Sequence, residues 1–125
     1  MPPAALVVDD SMLIRHIVCR FLEARGFAVE SAINGAEALE KVAASLPAVI
    51  ITDLEMPRMS GLELVAALKS RPETAAIPVV VLAGRRGDSN PALDTRVSFV
   101  IPKETNIEQQ LEKALAAVLG TGSAS

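Results

Sequence analysis

Three observations predict an α/β fold built on a doubly wound, five-stranded parallel sheet. Short apolar runs alternate along the whole chain with segments of helical periodicity, the pattern of successive βαβ units. Two of the runs, at residues 49–51 and 79–82, consist of valine, isoleucine and leucine unbroken by polar residues, as in strands buried on both faces. Aspartate, asparagine, glycine or proline stands at nearly every boundary, where caps and turns need them.

In chain order, Ala4 to Val8 is a short apolar strand that stops at Asp9-Asp10. Ser11 is a suitable N-cap, and Ile14, Ile17, Val18, Phe21 and Leu22 follow at helical spacing until Gly26 ends the helix. Ala28 to Ala32 alternates enough to be an edge strand. Asn34-Gly35 makes a turn or cap, and Leu39, Val42, Ala43 and Leu46 mark a second helix stopped by Pro47. The apolar run from Ala48 to Ile51 breaks off at Thr52 and Asp53, and Pro57 forbids a continuing strand. Ser60-Gly61 opens a third helical pattern through Leu62, Val65 and Leu68. Pro78 precedes the fourth strand, Val79 to Leu82. Residues 84–98 hold two glycines, a proline and Arg85-Arg86, so a degenerate fourth helix of at most one short turn is expected there. Phe99 to Ile101 is the fifth strand, running into Pro102-Lys103. Ile107, Leu111, Ala114, Leu115 and Val118 form a last helix ended by Gly120. This gives one domain over 1–120, with 121–125 as a flexible tail or the start of a linker.

Composition narrows the function. The chain has 125 residues, a size that suits one domain with a substantial core. Half the residues are hydrophobic, yet no apolar run approaches the ~20 residues that span a bilayer, and the start lacks the basic and apolar segments of a signal peptide. A single cysteine, Cys19, allows no internal disulfide, which points to a reducing cytoplasm. A formal charge of −3, no tryptophan or tyrosine and only three phenylalanines argue against direct nucleic-acid binding.

What remains is the acidic constellation at the strand ends. In open α/β sheets ligands bind outside the carboxyl ends of the strands, and if the chain takes the known doubly wound order 2-1-3-4-5, which the alternation does not itself fix, the ends of the first, third and fifth strands share one crevice. Asp9-Asp10, Asp53 and Lys103 would meet there. Crowded carboxylates repel one another unless a cation joins them, and magnesium suits a few carboxylates, a backbone carbonyl and retained waters. An aspartate so placed can attack phosphorus and form an acyl phosphate, with lysine holding a phosphoryl oxygen.

These residues carry a resemblance. Val7-Val8-Asp9-Asp10-Ser11 with Arg15, then Asp53-Leu54-Glu55-Met56-Pro57-Arg58-Met59-Ser60-Gly61, and finally Lys103, resemble the receiver domain of bacterial two-component response regulators over essentially the full chain. The resemblance implies a flavodoxin-like sheet of order 2-1-3-4-5. It implies that Asp53 is the phospho-acceptor, that Asp10 ligates Mg2+ directly, and that Asp9 acts mostly through water. Glu55 would lend its backbone carbonyl to the metal, and Lys103 would bind the phosphoryl group. The donor would be a histidine kinase or histidine phosphotransfer protein, and the output an unidentified partner or effector domain. The domain would act as a switch with slow self-dephosphorylation rather than as a metabolic enzyme.

The sequence departs from the family's pattern at the signalling face. Where receivers place threonine or serine after strand four, this chain has Ala83, and at the usual aromatic switch position it has Val100. Phe99 is one residue too early and so points to the opposite face of the strand. Pro102 precedes the lysine rather than following it. These departures favour an alternative, a pseudo-receiver that signals without phosphorylation. The complete set Asp9, Asp10, Asp53 and Lys103 opposes it. A magnesium phosphatase with an aspartyl intermediate is a third class, but it would carry a second aspartate at the position of Glu55. Among other residues, His16 is expected to face solvent or a partner, and Cys19 to be inert. Met12, Met56 and Met59 are expected to pack around the mouth of the site, and Arg85-Arg86 to form a solvated basic loop.

Overall fold

The computed structural model describes residues 3–53, 61–83, 99–102 and 106–119. The apolar runs form β1 (Ala4–Val8), β2 (Ala28–Ala32), β3 (Val49–Asp53), β4 (Val79–Ala83) and β5 (Phe99–Pro102). The helices are α1 (Met12–Ala24), α2 (Gly35–Ala44), α3 (Gly61–Lys69), α4 (Pro72–Ala75) and α5 (Ile107–Leu119). All five strands are parallel in the order β2-β1-β3-β4-β5, as expected. The segment 84–98, the tail 121–125 and the loop residues Glu55, Met56 and Met59 lie outside the described residues.

The strands' alternation divides the core into two layers. Leu6, Val8, Ile50, Val79 and Val81 pack with Val42 of α2 and Leu64, Val65 and Leu68 of α3. Ala5, Val7, Val49, Ile51, Val80, Leu82 and Ile101 pack on the other face with Val18 and Leu22 of α1 and Leu111, Ala114 and Leu115 of α5. Each fully buried aliphatic side chain contributes about 1.5–3 kcal/mol of transfer free energy, so the central strands β1, β3 and β4 anchor the fold.

The helix ends follow their capping residues. Ser11 Oγ accepts the Ile14 N–H at 3.3 Å, and Asn34 Oδ1 accepts the Glu37 N–H at 2.8 Å. Gly26, at φ 92°, takes the left-handed turn past the end of α1 and donates to the Glu23 carbonyl. α2 ends sooner than the apolar spacing implied. Ser45 is already extended, Pro47 disfavours helix for the residue before it, and Leu46 is left 52% exposed outside the helix. The buried stripe of α2 is therefore Gly35, Ala38 and Val42.

β2 is the edge strand, as its alternation implied, and α2 covers part of that edge. The Ala28 N–H and Ala32 carbonyl bond toward the β1 side, so residues 29, 31 and 33 turn their main-chain groups outward. Lys41 Nζ donates to the Ser31 carbonyl at 2.7 Å, and Glu37 Oε1 accepts the Ile33 N–H at 2.9 Å. Two side chains one turn apart on α2 thus satisfy edge groups that would otherwise be open to another strand.

Candidate functional site

β3 runs further than its apolar stretch, through Thr52 to Asp53, because parallel neighbours on both sides complete its ladder. Val8 of β1 is in register with Thr52, so Asp9 and Asp53 follow at the same level on adjacent strands. Strands in a sheet lie only about 4.8 Å apart, which is what brings the two side chains together. Asp9 and Asp53 are 0% and 3% exposed, whereas Asp10, at the bend before α1, is exposed. One carboxylate oxygen from each of the three lies within 4.8 Å of the other two.

Hydrogen bonds hold the loop that presents them. The Asp9 N–H donates to the Ala32 carbonyl at 3.1 Å, and Asp9 Oδ1 accepts the Ser11 N–H at 2.8 Å. Arg15 Nη1 donates to the Asp9 carbonyl at 2.8 Å. The sequence marked Arg15 as part of the motif without a role. Its reach backward is intelligible, because helical side chains lean toward the N-terminus and a long one four residues past an N-cap covers the entering loop.

The donor set fits a hard divalent cation. All three ligating atoms are carboxylate oxygens, the type that Mg2+ and Ca2+ select. With one oxygen from each carboxylate inside 4.8 Å of the others, the trio is compact enough for one small cation and its retained waters to bridge it.

Of the residues expected at the site, the structure brings together Asp9, Asp10 and Asp53. Glu55 and Lys103 lie outside the described residues. Ala83 is the last residue of β4, one past the Leu82 that registers with Asp53, and is itself in register with Pro102. Phe99 packs with Ile101 on the α5 side of the sheet, and Val100, half-buried, alternates to the other face. His16 is exposed on α1, as expected. Met12 does not pack at the mouth of the site. It is 73% exposed on the first turn of α1, whose buried residues are Val18 and Leu22. Cys19 is half-buried, and its thiol pKa is pushed up by desolvation first and by Glu23 second, against an opposing effect of Arg15.

A doubly wound parallel sheet with a carboxylate cluster at the ends of β1 and β3 defines the class of domain, a flavodoxin-like fold with its site at the strands' carboxyl ends. The chain belongs to the response regulator receiver domain family, which it matches over residues 5–116. It is 34% identical over 123 residues to the response regulator MprA of Mycolicibacterium vanbaalenii, covering 97% of this chain and 52% of that protein. The chain therefore spans about half the length of such relatives. Among solved structures it is similar to the chemotaxis response regulator CheY4 of Vibrio cholerae, with TM-score 0.81 and 31% identity over 94% of this chain and 99% of that one. It is also similar to a response regulator receiver domain protein from Clostridium thermocellum, with TM-score 0.82, 26% identity and 96% of each chain covered. Receiver domains are signalling domains of two-component systems. Among the described residues, no helix is long and apolar enough to cross a membrane.

Proposed function

We propose that this domain accepts a phosphoryl group on Asp53 from a phosphohistidine of a histidine kinase or phosphotransfer protein, in the cytoplasm. An Asp53 carboxylate oxygen attacks phosphorus, the N–P bond of the donor breaks, and its electron pair stays on the departing imidazole. Asp10, Asp53 and the Glu55 carbonyl would hold Mg2+ directly, with Asp9 acting through water. The bound ion supplies positive charge against the phosphoryl oxygens, and Lys103 adds a compact cationic contact. Asp53 is 3% exposed, so the attacking oxygen has little contact with bulk water. The reading rests on one observation: three carboxylates of a receiver-family chain converge within 4.8 Å at the ends of two adjacent strands. Output passes to a partner protein or effector domain.

The pseudo-receiver alternative draws support from Ala83 and Val100, which lack the hydroxyl and the aromatic ring that the family uses at those positions. Beryllofluoride with Mg2+, a mimic of the aspartyl phosphate, separates the two. It is expected to bind the parent in one equivalent, read by native mass or amide shifts, and not to bind Asp53→Asn. Because that substitution removes one of three crowded charges, the variant is expected to be as stable as the parent, or more so, without metal. A parent protein that takes up no beryllofluoride in millimolar Mg2+ overturns the proposal in favour of the pseudo-receiver.

A further inference from the structure

Asp10 is the exposed member of the acidic trio, and bonds made by its neighbours set its conformation. A peptide unit is a rigid plane, so a residue's φ and ψ express the orientations of the two planes that flank it. The plane joining Asp9 to Asp10 carries the Asp9 carbonyl, which Arg15 Nη1 holds at 2.8 Å. The plane joining Asp10 to Ser11 carries the Ser11 N–H, which Asp9 Oδ1 holds at 2.8 Å. Arg15 is secured at its own backbone as well, where its N–H donates to the Ser11 carbonyl at 3.0 Å. The first turn of α1 and the guanidinium thus close a ring around Asp10. Each plane beside it has a hydrogen-bonded handle, and the handle on the Asp9–Asp10 plane is held by Arg15.

We infer that Arg15 is a positioning residue of the acidic site, orienting the Asp9–Asp10 peptide so that the Asp10 carboxylate converges with those of Asp9 and Asp53. This rests on the reading above that the trio holds magnesium. The sign of the effect separates it from simple electrostatics. A guanidinium beside a site for a dication repels the ion, so if charge were its whole influence, removing it would tighten metal binding. As a positioning group its loss weakens binding, because Asp10 must then be ordered at the moment the metal arrives. Residues that orient metal ligands typically carry a factor of about ten or more in affinity.

The test is a titration with MgCl2 followed by the amide shifts of residues 9–11, at a temperature where circular dichroism shows every variant folded. Arg15→Met removes charge and donor together, and its Mg2+ Kd is expected to rise about tenfold. Arg15→Gln loses the charge but keeps an amide donor on a shorter arm, and its Kd is expected to rise by a smaller factor. A merely structural contribution would lower the melting temperature of the metal-free protein and leave Kd unmoved. A Kd equal to or below the parent's in either variant overturns the inference and leaves the magnesium reading intact. Absence of any saturable shift in the parent overturns the magnesium reading, and this inference with it. Should Arg15→Met not fold, Arg15→Gln decides alone by the same criterion.

Discussion

At Asp9 and Asp53 the chain carries carboxylates into positions with almost no access to water, where burying an ion costs several kcal/mol unless its surroundings compensate it. Asp9 Oδ1 holds the Ser11 N–H, but a buried carboxylate on each of two adjacent strands is more than capping the entry to α1 requires. This is why both were readable from sequence as functional: an apolar run ending in aspartate is the departure from pattern that a site produces. Arg15 was not readable in the same way, because arginine on the first turns of a helix is ordinary and only its 2.8 Å bond to the Asp9 carbonyl gives it a role. Cys19 shows the opposite case, a residue with reactive chemistry that its surroundings suppress. With its pKa raised in the folded state, the native protein keeps the thiol proton at pH values where the unfolded chain has lost it. That contribution to stability is fully present below the unfolded thiol's pKa and is lost as pH rises through the folded one. From about pH 8 upward the parent's unfolding free energy is therefore expected to fall more steeply than that of Cys19→Ala, measured by urea titration at stepped pH. Parallel slopes in the two proteins would show that Cys19 is effectively solvated.

Elements of five or more residues with a clear period emerged from the sequence close to their observed bounds, because burial on one or both faces writes itself into the order of apolar residues. α4 did not. Its four residues are too few to show a period, and an isolated turn of that length has no stability of its own. The available signals were Pro72 at its first turn and Glu73 behind it. What holds α4 is side-chain bonding from its neighbour: the Thr74 hydroxyl donates to the Leu68 carbonyl, and Lys69 Nζ donates to the carbonyls of Ala75 at 2.7 Å and Ile77 at 3.0 Å. Burial pulls the Lys69 pKa below its ordinary value, while the two carbonyl acceptors favour its charged form. Lys69→Met keeps the aliphatic stem and deletes both bonds. It is expected to destabilise the domain by about 1 kcal/mol, the low end for unsatisfied carbonyls because water reaches part of this site. The denaturant midpoint at constant m-value measures it, and an unchanged midpoint would mean that solvent serves these carbonyls equally well.

Across the whole molecule, a parallel sheet followed from the alternation of elements and its strand order from the resemblance, yet the sequence left the coupling between site and output open, because that depends on which groups can report the state of Asp53. A phosphoryl group shifts a two-state equilibrium only as far as its contacts differ between the states. Ala83 ends β4 beside the crevice, one residue beyond the Leu82 that registers with Asp53, and alanine has no donor to follow a phosphoryl oxygen. On the proposed reading, the links left to carry a response would be Lys103, a bound metal ion and nearby main-chain amides. Amide shifts of residues 84–99 are therefore expected to change little when beryllofluoride and Mg2+ are added to the parent. Ala83→Thr supplies a hydroxyl at the end of β4, and one charge-assisted hydrogen bond is worth about 1.5–3 kcal/mol when well formed. Since a tenfold shift needs about 1.4 kcal/mol, the variant's shift changes over 84–99 and along β4 and β5 are expected to exceed the parent's clearly. The comparison also has an internal control, because both proteins should bind the mimic through the same Asp9, Asp10 and Asp53 cluster. If the parent alone shows a large rearrangement through β4, residues 84–98 and β5, the hydroxyl is dispensable here. Another group has then taken over its task, and the main-chain amides following Ala83 are the first to test.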